Sequence, residues 1–240
     1  MRKILLNACS KTGRYFLRDG TYLRKEGIPV PDPAGLLAGG SVLKNSRSVV
    51  SGLDAGGRFF VKQYKKNGLW RTLKRLLQFP RACRCLAAAV RLEEAGLETP
   101  RVLLASRFYL VTEVLPPEAV FLTNLPQAMF DFIPSLARMH EAGLSHGDLN
   151  LRNIYKRADK FGLIDLDSAR FFPRGIPPRE RIRELARLVS SYLKQTGLPP
   201  ENAQEVLEKT AELYRKETGF QAYGNFLVER VKYLAERRKH

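Results

Sequence analysis

The apolar positions change their period along the chain, and the changes predict the elements. From Leu36 to Tyr64 they fall in short runs rich in β-branched and aromatic residues: Leu36-Leu37 to Val42-Leu43, Ser48-Val49-Val50, and Arg58-Phe59-Phe60-Val61-Lys62-Gln63-Tyr64. Such runs predict strands, and Asp54-Ala55-Gly56-Gly57 between the last two predicts a hairpin turn, because glycine takes the backbone angles of a tight reversal without penalty. Leu69, Trp70, Leu73, Leu76 and Leu77 then recur at helical spacing up to Pro80, and a second helix is expected from Ala82 to about Ala95, ended by Gly96 and Thr99-Pro100. Arg107 to Leu115 returns to a strand pattern and runs into Pro116-Pro117. A helix over Leu125–Ala142 places Phe130, Ile133, Leu136, Ala137 and His140 on one face. Beyond Pro178 the period is helical from Arg179 to Lys194, from Ala203 to Lys216 and in a final stretch from Phe220 to Arg238.

This order, strands first and helices after, predicts an α+β fold with a small β-rich lobe and a mainly helical one. The first 35 residues mix Tyr15, Phe16, Tyr22 and Leu23 with charges before Pro29, Pro31 and Pro33, which suggests an extension of short strands or coil. The expected division is an extension over 1–35, a small lobe over 36–115 and a large lobe over 116–240. No repeat or low-complexity segment interrupts it.

Composition sharpens the picture through charge. The 240 residues are 44% hydrophobic, enough for a real core, but 41 Lys and Arg against 24 acids give a net charge of +17. Such an excess implies a polyanionic partner: nucleic acid, an anionic membrane surface, or an acidic glycolipid. The bases concentrate between Arg58 and Arg91, where ten stand without a single acid. The helix carrying Trp70, Arg71, Lys74 and Arg75 is therefore either a packing helix with a solvated basic face or one that lies on an anionic bilayer. Cys9, Cys83 and Cys85 form no disulfide framework and lack the further ligands of a zinc site, so they are expected as free thiols. The basic amino terminus has too short an apolar run for a signal peptide, and no segment has the length of a transmembrane helix, which predicts a protein inside the cell, soluble or on a membrane surface.

The candidate chemistry lies in two stretches, His146-Gly147-Asp148-Leu149-Asn150-Leu151-Arg152-Asn153-Ile154 and Leu163-Ile164-Asp165-Leu166-Asp167. Phosphoryl transfer needs a carboxylate beside the attacking hydroxyl and oxygen ligands for magnesium at the nucleotide phosphates. Asp148 and Asn153 have four residues between them and Asp165 follows an apolar strand, the arrangement of base and metal ligands in kinase catalytic loops. A polar surface loop beside a buried strand is the alternative. Lys62, on the third run, stands where kinase-like folds hold the nucleotide phosphates, although an edge-strand lysine serves solubility equally well. In such a fold Glu113, Val114 and Leu115 form the hinge whose backbone pairs with adenine. No glycine-rich phosphate loop occurs; the corresponding turn reads Lys44-Asn45-Ser46-Arg47. No Glu lies mid-helix to pair with Lys62, only Glu93 and Glu94 in the last turn. His140 and His146 are expected to pack and to brace rather than to catalyse.

Together with Arg58–Tyr64 and Leu92-Glu93-Glu94-Ala95-Gly96-Leu97-Glu98-Thr99-Pro100, these two stretches resemble the bacterial lipopolysaccharide core sugar kinases, the heptose and Kdo kinases of the protein-kinase-like superfamily. The resemblance runs from about Leu36 to Phe172. It implies a two-lobed kinase fold and ATP-dependent phosphorylation of an inner-core sugar hydroxyl, with lipopolysaccharide core or a related anionic glycolipid as partner. It also implies a location at the cytoplasmic face of the membrane. Carried over by position, Asp148 is the catalytic base, Asn153 and Asp165 bind Mg²⁺, and Lys62 holds the ATP phosphates, with the nucleotide between the lobes. Gly147 replaces the Arg that receives an activation-loop phosphate in many protein kinases, and the segment after Asp167 has no Ala-Pro-Glu anchor. Both point away from a peptide substrate. Asn150 stands where protein kinases have a Lys and is suited to hydrogen-bond the γ-phosphate or the sugar. Asp167 is either a third metal-site acid or a turn cap, with the cap favoured. The alternatives are a protein Ser/Thr or small-molecule kinase of the same fold and an inactive nucleic-acid-binding module, the latter disfavoured by the intact Lys62, Asp148, Asn153 and Asp165.

Overall fold

The computed structural model describes residues 4–5, 14–25, 30–65 and 79–220. The basic helix expected around Trp70 and the stretch from Phe220 to Arg238, apart from Phe220 itself, lie outside them. The chain divides into two compact units, Met1–Val90 with Pro100–Pro116, and Arg91–Thr99 with Pro117–His240.

The first unit is built on a seven-stranded antiparallel sheet in the order β1-β2-β6-β7-β5-β4-β3. Its strands are β1 (Tyr15–Arg18), β2 (Thr21–Arg24), β3 (Ser41–Asn45), β4 (Val49–Leu53), β5 (Phe59–Tyr64), β6 (Val102–Ala105) and β7 (Tyr109–Glu113). The residues that the sequence sets apart as an extension thus contribute β1 and β2, with Leu23 paired to Leu104.

Leu36-Leu37, expected in a strand, lies instead in a short helix, α1 (Pro33–Ala38). Local capping outweighs the apolar run here. Pro33 occupies the first turn, where a missing N–H costs nothing, and the Asp32 carboxylate accepts the Gly35 N–H at 3.0 Å. Leu37 then packs with Phe59, Val61, Leu103, Leu104 and Val111 on one face of the sheet.

The predicted hairpin joins β4 and β5. Asp54, only 7% exposed, accepts the N–H groups of Gly56, Arg58 and Phe59 at 3.1, 2.7 and 2.7 Å. Burial works to raise its carboxyl, but these hydrogen bonds, with the Arg58 charge, prevail and hold it below the ordinary value. Strand alternation puts Lys62 on the face opposite Phe59 and Val61, together with Tyr64. The Tyr64 hydroxyl meets Cys85 Sγ at 3.7 Å, which identifies this as the face that α2 (Arg81–Glu94) covers. Cys83 and Cys85 are buried free thiols, as expected, and burial pushes Cys83 up to about 11 against the opposing Arg107 charge.

The second unit contains the hairpin β10 (Ile154–Arg157) and β11 (Lys160–Leu163), with β8 (Val120–Phe121) beside β10. A two-stranded sheet pairs β9 (Leu144–Ser145) with β12 (Arg170–Phe171). Its helices are α3 (Met129–Glu141), α4 (Pro178–Thr196) and α5 (Ala203–Thr218), with α5 packed on both α3 and α4. α3 begins later than the pattern suggested, because Pro126–Ala128 forms a separate 3₁₀ turn. Its buried face carries Met129, Phe132, Ile133, Leu136, Ala137, Met139 and His140. Phe130, expected there, is only half-buried; its ring lies edge-on to Tyr192 and beneath the Lys209 ammonium at 4.1 Å. Among the described residues no helix is long and apolar enough to cross a membrane.

Candidate active site

α3 delivers the chain through β9 to His146, and the loop that follows is held from below by α4. Glu184, Arg187 and Ser191 recur at the spacing of one helix face and each takes a backbone group of the loop. Glu184 accepts the N–H of His146 at 3.1 Å and that of Gly147 at 2.5 Å. Arg187 donates to the Gly147 carbonyl, and Ser191 Oγ accepts the Leu151 N–H at 3.1 Å. Glu184 is fully buried and also receives His140 Nε2 at 3.0 Å. Burial alone would raise this carboxyl; the His140 hydrogen bond and charge, with the Gly147 N–H, outweigh it and hold Glu184 below the ordinary carboxylate value. On its other side His140 Nδ1 meets the Tyr214 hydroxyl at 2.7 Å, and Arg181 donates to the same oxygen at 2.8 Å. A buried polar chain thus runs from α5 through α3 to the loop.

His146 stitches the two candidate stretches together. Its Nε2 faces the Ile164 carbonyl at 2.9 Å and its Nδ1 faces the Asp148 N–H at 3.3 Å. A carbonyl only accepts and a backbone N–H only donates, so the ring carries its proton on Nε2 and presents a lone pair at Nδ1. This is the bracing role that the sequence suggested. The Ile164 N–H in turn donates to the Asn153 carbonyl at 2.9 Å, which sets Asp165, the next residue, beside Asn153.

Within the loop both amides fold onto one oxygen. The Asp148 carbonyl accepts Asn150 Nδ2 and Asn153 Nδ2, each at 2.9 Å. Asn150 Oδ1 takes the Arg152 N–H at 3.1 Å and starts the 3₁₀ turn Leu151–Asn153. The two asparagines are buried while the carboxylates of Asp148 and Asp165 are on exposed residues. Asp165 adopts a left-handed conformation, φ 58°, uncommon for a residue with a side chain and frequent at functional positions. It precedes a 3₁₀ turn, Leu166–Ser168, without capping it through its side chain.

Gly147 has a steric reason that its position in the motif did not reveal. Its φ is +81°, and a Cβ there would stand 2.2 Å from the Ser168 carbonyl oxygen. Only glycine lets the segment after Asp165 pass this close to the loop.

The residues suit a magnesium ion. Asn153 spends its Nδ2 on Asp148, which turns Oδ1 away from that bond, and Asp165 supplies a carboxylate one residue beyond Ile164. Hard oxygen donors of this kind, few in number, fit an ion that is completed by phosphates and water. No cluster of three or more His, Cys, Asp or Glu suited to a metal occurs among the described residues.

The remaining predicted residues belong to the first unit. Lys62 is half-buried on β5, between Ser51 and Leu110 in register. At the predicted hinge the Glu113 N–H donates to the Arg101 carbonyl at 3.0 Å and the Val114 N–H to the Arg58 carbonyl at 3.3 Å. Only the Leu115 N–H has no acceptor among the described residues. The turn that replaces a glycine-rich loop is closed on itself: Ser46 Oγ accepts the Ser48 and Val49 N–H groups, and the Ser46 N–H goes to the Val49 carbonyl. A nest of free backbone donors is therefore not formed there. Glu94, one of the two late acids of α2, pairs with Arg91 at 2.8 Å.

Glu184, Arg187 and Ser191 went unrecognised in the sequence. The available signal was an acid on the apolar face of a helix, four residues before Leu188 and next to Leu185.

Residues 111–209, which include the loop, Asp165 and the bracing face of α4, match the model of the Lipopolysaccharide kinase (Kdo/WaaP) family. No curated protein matches the sequence. Among solved structures, WaaP in complex with acyl carrier protein is similar over 84% of this chain and 89% of its own, at 23% identity and a TM-score of 0.54. A choline/ethanolamine kinase family protein from Mesorhizobium loti is 13% identical over 85% of this chain and 81% of its own, with a TM-score of 0.52. The amicoumacin kinase hAmiN, in complex with AMP-PNP, Ca²⁺ and Ami, is 13% identical over 77% of this chain and 74% of its own, with a TM-score of 0.54. At these identities the structures establish a kinase-like α+β fold. The resemblance read from the two motifs is borne out, since the family match covers both of them.

Proposed function

We propose that this phosphotransferase, matched over residues 111–209 to a lipopolysaccharide kinase family, uses ATP to phosphorylate a heptose or Kdo hydroxyl of the lipopolysaccharide inner core. The observation that carries the reading is that the matched stretch contains a complete catalytic-loop scaffold: an exposed Asp148 whose flanking peptides are fixed by buried Glu184 and by His146.

In this reading Asp148 orients the acceptor hydroxyl and takes its proton. The hydroxyl oxygen bonds to the γ-phosphorus as the bond from that phosphorus to the bridging oxygen breaks, and ADP leaves. The loop contributes by holding Asp148 in place before substrate arrives, since both its N–H and its carbonyl are already bonded inside the loop. Asn153 and Asp165 hold Mg²⁺, which when bound neutralises phosphate charge. Lys62 pairs with the phosphates, Leu115 N–H donates to adenine, and Asn150, whose amide is spent on Asp148, acts on the loop rather than on the sugar. The enzyme works on the cytoplasmic face of an anionic membrane, where the net charge of +17 favours an acidic glycolipid.

The test uses purified protein, labelled ATP and Mg²⁺ with truncated-core lipopolysaccharide, a generic protein or an oligonucleotide. Label enters the glycolipid and is lost in Asp148→Ala. Labelling of the protein instead, or salt-sensitive oligonucleotide binding without ATP turnover, would overturn the proposal.

A further inference from the structure

Resting on that reading, we propose that Arg152 is the acceptor-selecting residue of the loop and binds an oxyanion, a carboxylate or phosphate, carried by the acceptor next to the hydroxyl that Asp148 engages. Arg152 is exposed, and its side chain makes no ion pair or hydrogen bond with any described residue. Four other arginines of this unit, by contrast, are engaged. Arg187 is bound to the Gly147 carbonyl, Arg170 and Arg183 to Glu180, and Arg181 to Glu141 and Tyr214.

Its position is fixed nonetheless. The residues on either side, Leu151 and Asn153, are buried, its own N–H is held by Asn150 Oδ1, and the turn it occupies is closed onto the Asp148 carbonyl by two amides. A 3₁₀ turn with buried neighbours directs its middle side chain outward. The guanidinium therefore projects from the same loop as Asp148, four residues further on, with a backbone tethered at both ends. A planar fork of donors presented this way is suited to grip an oxyanion in two-point fashion. Glu184, the acid that α4 brings to the loop, is buried and paired with His140.

The experiment compares three acceptors in detergent micelles: Kdo₂–lipid A, its carboxyl-methylated form and its dephosphorylated form. Calorimetric binding in the presence of ADP, and steady-state transfer, are measured for the full chain and for Arg152→Ala and Arg152→Lys. Wild type binds one of the modified forms roughly tenfold or more weaker than the parent, the effect of losing a charge-assisted pair, and the weakened form tells a carboxylate from a phosphate. Arg152→Ala abolishes that discrimination and raises KM with little change in kcat, while Arg152→Lys restores part of it. Unaltered binding ratios in Arg152→Ala, or a wild type that binds all three forms alike, would overturn the proposal. If no form is phosphorylated by wild type, the assignment of the acceptor sugar fails, and the binding ratios still decide the role of Arg152.

Discussion

The Glu184 carboxylate accepts the Gly147 N–H at 2.5 Å from the middle of a helix 37 residues further along the chain. The same carboxylate holds the preceding N–H of His146, so a single buried side chain fixes the two peptides that lead into Asp148. It is a positioning residue: it touches backbone and His140, and acts through them.

Replacing it with glutamine is the sharpest perturbation of that arrangement. The amide oxygen still accepts on one side, but the amide nitrogen opposes the N–H on the other, leaving a buried donor unpaired. Glu184→Gln is expected to lose about 3 kcal/mol of stability by the usual cost of breaking a buried charged pair. A small misplacement of Asp148 is expected to lower kcat on the order of 10²-fold while KM for ATP changes little. Chemical denaturation and steady-state kinetics measure the two; a kcat near wild type would remove Glu184 from loop positioning.

Gly147→Ala tests the close approach of the Ser168 carbonyl. The added methyl group meets an oxygen at 2.2 Å and the backbone is at φ +81°, so both sterics and conformation oppose it. A loss of about 1–3 kcal/mol is expected from the strained backbone alone. Thermal unfolding reports it, and an unchanged midpoint would mean that the segment after Asp165 moves aside freely.

The acid limb of the stability profile follows from Glu184 and Asp54, whose folded-state carboxyls both lie below the ordinary value. A depressed group binds its proton more weakly in the folded protein than in the unfolded chain. Its contribution is therefore complete above the unfolded-state value and is lost as pH falls from there through the folded-state value. Stability is expected to drop on acidification, and Glu184→Gln to flatten that slope relative to wild type. Denaturation midpoints measured from neutral pH down to the acid range, for both proteins, check it; parallel curves would assign the acid sensitivity elsewhere.

The two asparagines separate bracing from metal binding. Both donate to the Asp148 carbonyl at 2.9 Å, but only Asn153 adjoins the Asp165 stretch through the Ile164 N–H. Asn153→Ala is expected to raise the Mg²⁺ concentration for half-maximal activity about tenfold or more, and Asn150→Ala to lower kcat without moving it. Mg²⁺ titrations at saturating ATP distinguish them, and equal shifts in the two variants would deny Asn153 its separate role.

The sequence by itself determined what depends on local order. Alternation marked β4, β5 and β7, the Asp54–Gly57 turn marked the hairpin, helical periodicity marked α2 to α5, and two short motifs in the right sequence marked the loop. Even there a local competition escaped it: at α1 the cap formed by Asp32 and Pro33 outweighed the apolar pair Leu36-Leu37. What only the tertiary structure decided is who supports the loop. Glu184, Arg187 and Ser191 lie some 40 residues downstream, and Tyr214 reaches the same network through His140 from another helix. Hydrogen bonds between distant segments leave no periodicity in a sequence; their trace is a polar residue on an apolar face, which gains a meaning only when its partner is in view. Gly147 makes the same point from the other side. Read alone it is a missing arginine, and read against the Ser168 carbonyl it is the residue whose lack of a side chain lets the two halves of the site meet.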